Sequence, residues 1–418
     1  MDRILSVSWK NVWRNKKRSL IVISAVMLGT AAGVFTSGLM NGWVDQRIRS
    51  VINIEQSHIK IYNPEFLKNE ELTNYIKGVA QVENYLETNN TIKGYSKRIK
   101  IMSLAATSRG NTALMLVGVD PDNERIVSEL YNHIVPDGGE YLENGKSGGI
   151  LISDKTAETL RIKNKESGKY KLRSKIVLTF TGKEGEMISQ SYRVCGVYKT
   201  SNTAFDQMYA FVLDKELRSA IPLAGNEIHE IAVILNDNDD LISVQNDINK
   251  RFPQISALNW MELAPDAGMM SEYMYIYYVI IMGFILFALA FGIINTMLMA
   301  ILERGKEIGM LMAIGMNKSK VFKMIMLETV FLTMVGAVVG MAVGWILITI
   351  TGKTGIDFSS VEEGFEALGW SSVVYPNIPA GFFFGVTLMV VLTGITASLL
   401  PARKALRMNP VEALRTDN

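Results

Sequence analysis

Four uncharged apolar runs, residues 20–44, 273–302, 329–352 and 367–402, constrain this chain more than any other feature. Each is longer than the roughly 20 residues that an α-helix needs to cross a bilayer, so four transmembrane helices are expected. Composition alone leaves the class open. A chain of 418 residues with 48% hydrophobic side chains and a net charge of +2 suits a large soluble protein as well as a membrane protein with a sizeable aqueous domain. The clustering of the apolar residues decides for the membrane. A charge balance near zero carries no sign of nucleic-acid binding. The single cysteine, Cys195, excludes an internal disulfide and any CxxC metal or redox site.

The expected architecture is an α-helical membrane protein with four transmembrane helices and a large extracytoplasmic α+β domain inserted between helices 1 and 2. Residues 1–19 carry Lys10, Arg14, Lys16, Lys17 and Arg18, with Leu5, Trp9, Val12 and Trp13 on one helical face, the pattern of an interfacial basic helix. A cleaved signal peptide shares that charge pattern, but the apolar run is too long and no A-x-A site closes it. Helix 1 is then expected at 20–44 and the aqueous domain at 45–272. Helix 2 with a stalk is expected at 273–302, a cytosolic coupling helix at 303–323 and helix 3 at 324–352. An outer connection follows at 353–377, helix 4 at 378–400 and a basic tail at 401–418, leaving the last span at Pro401. The outer connection carries Asp357, Glu362, Glu363 and Glu366 against one lysine, whereas the N-terminus, the 303–318 turn and the tail are basic. The positive-inside tendency therefore places both termini and the turn in the cytosol and the large domain outside.

Within the aqueous region, strand-like runs occur at 58–62, 99–105, 113–119, 176–180, 192–198, 208–213 and 228–235. Helical patterns occur at 73–86, 154–160, 214–221 and 241–252. Arg109-Gly110-Asn111 reads as a hairpin turn, and 163–175, dense in Lys, Gly and Ser, as an exposed loop. The domain has one lobe or two. Asn144-Gly145-Lys146-Ser147 ends like a phosphate-binding loop, but the first glycine of G-x-x-x-x-G-K-[ST] falls on Glu140, so it reads as a turn. His58, His133 and His229 are far apart, and His229-Glu230 lacks the second His of H-E-x-x-H. No nucleophile, base or metal constellation is found. The chain is expected to bind no cofactor directly and to catalyse nothing by itself.

In the spans, Gly29, Gly33 and Ser37 recur every four residues, and Gly336, Gly340 and Gly344 form a double G-x-x-x-G, so close helix packing is expected at both. The second run covers roughly 45 Å as a helix, beyond a hydrocarbon core of about 30 Å. Either it tilts or it projects as a continuous stalk, which is the favoured reading. Tyr273, Tyr275, Tyr277 and Tyr278 crowd its outer end like an aromatic belt. Glu328 lies near the inner end of the third span, where a charge calls for snorkelling, a partner in the bundle or an ion pathway.

The polar turn from Glu303 to Lys318 is expected to be a handle for something outside the membrane. Ile308, Leu311, Met312 and Gly315 fall at helical spacing and would present one apolar stripe between basic ends.

Four places in the chain resemble the permease subunits of MacB/FtsX-type mechanotransmission ABC transporters. They are Asn11-Val12-Trp13-Arg14-Asn15-Lys16-Lys17-Arg18; Glu303-Arg304-Gly305-Lys306-Glu307-Ile308-Gly309 with Ala313-Ile314-Gly315; the glycine-repeat third helix; and the tail with Asn409-Pro410-Val411-Glu412-Ala413-Leu414. Ser57-His58-Ile59-Lys60-Ile61-Tyr62-Asn63-Pro64 and Val117-Gly118-Val119-Asp120 resemble the lipoprotein-releasing branch. The resemblance implies an inner-membrane permease with a periplasmic domain, a second permease chain (the same or another) and a separate ABC ATPase subunit that uses the ATP. It implies an ATPase-coupling set at Glu303, Arg304, Gly305, Glu307, Ile308, Leu311, Met312, Ile314 and Gly315. It further implies release of lipoproteins to a periplasmic carrier. The alternatives are efflux of a small amphiphile or peptide and signalling to a cell-wall hydrolase. The 163–175 loop is longer than that branch's short polar link, so the carrier contact there stays unassigned.

Overall fold

The computed structural model describes residues 2–164, 167–221 and 223–406. The tail motif at 409–414 lies outside the described residues. Two compact units share the chain: one takes 1–43, 273–357 and 373–418, the other 44–272 and 358–372.

Among the described residues, four helices are long and apolar enough to cross a membrane. The first runs Lys16–Ser50 and passes into a π-helical turn at Val51–Gln56; the others are Pro265–Glu303, Lys318–Thr354 and Ala380–Leu406. The second, 39 residues or about 58 Å long, is unbroken and starts with a proline whose missing N–H costs nothing at a first helical position. The expectation that the fourth helix ends at Pro401 is corrected: the helix continues through it to Leu406. Ala402 and Ala405 are fully buried against the bundle, and that packing outweighs the one backbone bond a proline removes.

Small residues set the helix pairing. A Cβ at Gly340 would stand 2.5 Å from the Met27 carbonyl oxygen, and Gly336 and Gly344 lie as close to Val26 and Val34, so the third helix packs on the first of the same chain. Gly29 and Gly33 face Leu289 and Met282 of the second helix. Toward the outer end, Tyr278 Oη donates to Asn41 Oδ1 and Asn41 Nδ2 donates to Asn377 Oδ1, joining the first two helices to the segment before the fourth. Tyr278 thus turns inward, whereas Tyr273 and Tyr275 of the expected belt are exposed.

The second unit is built on a single ten-stranded mixed sheet. Its strands are β1 (Ile59–Tyr62), β2 (Ile92–Ala106), β3 (Asn111–Val119), β4 (Ile134–Gly139), β5 (Gly149–Ser153), β6 (Lys175–Thr181), β7 (Met187–Tyr198), β8 (Tyr209–Leu213), β9 (Glu230–Leu235) and β10 (Ser256–Asn259). They lie in the order β10-β1-β9-β2-β3-β8-β5-β7-β4, and β6 bridges β2 and β7. The strands β4, β5 and β10 carry no sequence signal strong enough to have been expected. One core gathers on β1, β9 and β10 under the helices Val79–Thr88 and Leu241–Arg251; others form around β2, β3, β5, β7 and β8. One sheet with several cores replaces the choice between one lobe and two.

Strand alternation places Ile99 and Ile101 in an apolar core and Arg98 and Lys100 on the opposite face, also buried. Burial of these cations is tolerated because Glu230 lies between them: Arg98 Nη1 donates to it at 2.6 Å, Lys100 Nζ at 3.1 Å and Tyr62 Oη at 2.7 Å. Glu124 takes two further bonds from Arg98. The residues 358–372 of the expected outer connection pack with this unit, where Lys199 Nζ bridges Glu362 (2.6 Å) and Glu366 (2.9 Å).

Candidate functional site

The handle is a helix, Gly305–Ala313, with punctuation at both ends. Gly315 takes a left-handed φ of +99°, which a residue with a Cβ adopts only under strain. The Gly315 N–H donates to the Met312 carbonyl (3.1 Å) and the Met316 N–H to the Leu311 carbonyl (2.9 Å), the two bonds of a Schellman stop. Asn317 then caps the third span, its Oδ1 accepting from the Ser319 N–H at 3.0 Å.

The faces of this helix differ from the expected stripe. Ile308 is buried among Val12, Met297, Val321 and Ile325, with Gly305 and Gly309 buried beside it. Leu311 and Met312 are half-buried, and Met312 packs on the same cluster. Gly315 is exposed, and the exposed apolar pair is Met310 and Ile314, the latter 79% accessible. Ile308 and Met312 of the stripe read from spacing therefore seat the helix on its own bundle, and Met310 and Ile314 are left open. Glu303 is exposed at the helix entrance.

Charges extend the seat into the membrane unit. Glu307 pairs with Arg14 of the N-terminal helix Asp2–Arg14 and accepts from Arg304 Nε at 3.1 Å. Arg304 Nη1 reaches both oxygens of Glu328 at 3.2 Å, and Glu328 Oε1 accepts from Arg18 Nη2 at 2.6 Å. The result is one alternating chain, Arg14–Glu307–Arg304–Glu328–Arg18. Its outer pair is half-exposed, and its inner pair, Arg18 with Glu328, is buried. Burial raises the Glu307 pKa, but bonds from Arg14 and Arg304 outweigh it and hold the carboxyl below its ordinary value. Of the readings open for Glu328, the structure provides the bundle partner.

Sequence reasoning named Arg304, Glu307 and Glu328 but did not find that Arg14 and Arg18 complete their chain. A carboxylate inside a span demands a counter-charge, and the nearest cations at the same membrane depth were the signal available. The N-terminal helix reaches this place because Ser8, Asn11 and Val12 form a small buried face, with Ser8 Oγ donating to the Met324 carbonyl at 3.3 Å. Leu5, Trp9 and Trp13 stay exposed, and Trp9 stacks edge-on against Phe331.

Among the described residues no group of three metal-ligating side chains comes together. Two of the three histidines are spent on the fold: His229 Nδ1 accepts from the Lys100 N–H, which fixes its Nε2–H as donor to the Leu72 carbonyl, and His58 Nδ1 accepts from the Leu235 N–H. Burial lowers the His58 pKa to about 4.

Comparison with known proteins gives two family matches: a MacB-like periplasmic core domain over residues 19–251 and an FtsX-like permease C-terminal domain over residues 279–410. The chain is 22% identical over 98% of its length, and 98% of the relative's, to the uncharacterized ABC transporter permease YknZ of Bacillus subtilis. It is 21% identical over 99% of both chains to the lipoprotein-releasing system transmembrane protein LolE of Haemophilus influenzae. It is also 34% identical over 30% of its length to the macrolide export ATP-binding/permease protein MacB of Escherichia coli, 17% of which is covered.

Proposed function

The chain belongs to the MacB/FtsX family of ABC transporter permeases, and from that premise we propose that it couples ATP hydrolysis by a separate ATPase to release of lipoproteins from the inner membrane to a periplasmic carrier. The observation that carries the coupling is the charge chain. A partner that seats on Met310 and Ile314 pushes a helix whose Glu307 and Arg304 are tied to Glu328 and Arg18. Opening the inner pair would strand a buried charge at a cost of about 3–5 kcal/mol, so the handle and the first and third helices move together rather than slide. In this reading the termini and handle are cytosolic, the second unit is periplasmic, and a second permease chain completes the complex. Lipid borders the exposed apolar helix faces.

The lipoprotein cargo is supported by the end-to-end similarity to LolE. Export of a small amphiphile or peptide is the second reading, favoured by the similarity of 30% of the chain to the macrolide exporter MacB. Depletion separates them. Lipoproteins stranded in the inner membrane support the first reading; normal sorting with hypersensitivity to an amphiphile sinks it and supports the second. Capture of a cell-wall hydrolase rather than a lipoprotein carrier by the full chain in detergent would replace both with a signalling role.

A further inference from the structure

The second unit contains an open cleft of about 850 Å3, bounded by the 139–149 turn, the end of the 163–175 loop and the middle of β7. That volume lies within the roughly 300–1,000 Å3 of small-molecule sites. The phosphate-loop-like turn forms one wall, but its groups are already engaged. Lys146 Nζ pairs with Glu143 at 2.7 Å and Glu140 at 3.0 Å, and the Gly148 N–H donates to Glu216.

The opposite wall is different. Arg173, Lys175 and Arg193 are exposed on it, and among the described residues no carboxylate lies within 4.0 Å of any of them. Arg193 Nη1 donates only to the Arg173 carbonyl, at 3.3 Å. Three like charges gathered on one wall repel, and an anion in the cleft relieves that repulsion.

We propose that this cleft binds a small anionic molecule with an apolar body, its carboxylate or phosphate held by Arg173, Lys175 and Arg193. Leu172, 38% accessible at the rim, takes the apolar part. The site is independent of the cargo reading above, since nothing in it requires a lipoprotein or a carrier.

The test uses the full chain in uncharged detergent, with octanoate, octyl phosphate and neutral 1-octanol as probes in ligand-observed NMR and calorimetry. At least one anion is expected to bind more tightly than 1-octanol; preference for octanoate or for octyl phosphate identifies the headgroup. Arg173→Ala with Arg193→Ala should weaken that binding at least about tenfold, equal to about 1.4 kcal/mol. Arg173 has a left-handed φ of 61°, so Arg173→Gly removes the guanidinium while relaxing the backbone, and its loss of affinity cannot be ascribed to misfolding. Equal binding of anions and 1-octanol, or undiminished anion binding in these variants, overturns the proposal.

Discussion

Glu328 carries a charge that the span around it cannot solvate, so its neighbours decide whether it stabilises or ruins the bundle. Arg18 and Arg304 supply the compensation, and two nitrogens of Arg18, Nε and Nη1, are buried without a partner as it is. Glu328→Gln is therefore expected to lower stability by about 3–5 kcal/mol, because it leaves Arg18 buried and uncompensated. The double change Arg18→Met with Glu328→Leu should recover most of that loss, read as the thermal midpoint of the chain in detergent. If the single change costs no more than the double one, the pair carries no weight. A second residue links the fold to pH. Burial raises the Asp206 pKa from 3.8 to about 7, although Thr200 donates to it through both N–H and hydroxyl. An acid whose folded pKa is raised favours the folded state while protonated. Its contribution is full below pH 3.8 and is lost as pH rises through about 7. Asp206→Asn keeps an acceptor for Thr200 and should flatten the stability difference across that window in paired unfolding curves.

At the scale of elements, the handle is shorter than the 303–323 expected, because Gly315 stops it and the third long helix already starts at Lys318. The spacing of Ile308 and Met312 is real, but in a short helix lying on a bundle that apolar side is consumed at home. Leu311→Asp, half-buried, and Glu307→Lys, which sets a cation between Arg14 and Arg304, are for that reason expected to disturb folding as well as coupling. Ile314→Asp is the cleaner probe. At 79% accessibility it should change stability by no more than about 0.5 kcal/mol, yet weaken association with the ATPase at least about tenfold. Unchanged association and ATPase stimulation in a reconstituted complex would remove Ile314 from the contact. The glycine repeats carry the complementary lesson. Gly336, Gly340 and Gly344 specify close approach, and within this chain their partner is the first helix.

For the molecule as a whole, orientation across the membrane is the property that gives each unit its role. With Cys195→Ser as background, Ser147→Cys in the outer unit should react with an impermeant maleimide on intact spheroplasts. Ser319→Cys, at the start of the third span, should react only after permeabilisation. The reverse pattern would place the handle outside and end the coupling reading. A residue in each unit is needed because neither unit's fold reports which side of the bilayer it occupies.

The sequence by itself determined the properties that depend on near neighbours. Four spans follow from uninterrupted apolar length, and β2, β3, β7 and β9 from β-rich runs. Tertiary structure alone decided what depends on residues far apart in the chain. Arg14 meets Glu307 across 293 positions, and Arg18 meets Glu328 across 310. The same holds for the mixed strand order, for the inward turn of Tyr278 and for the packing of 358–372 with the outer unit. Local sequence sets which groups must find a partner, because a buried charge or an unfilled helix face is costly; only the folded chain selects which partner meets that need.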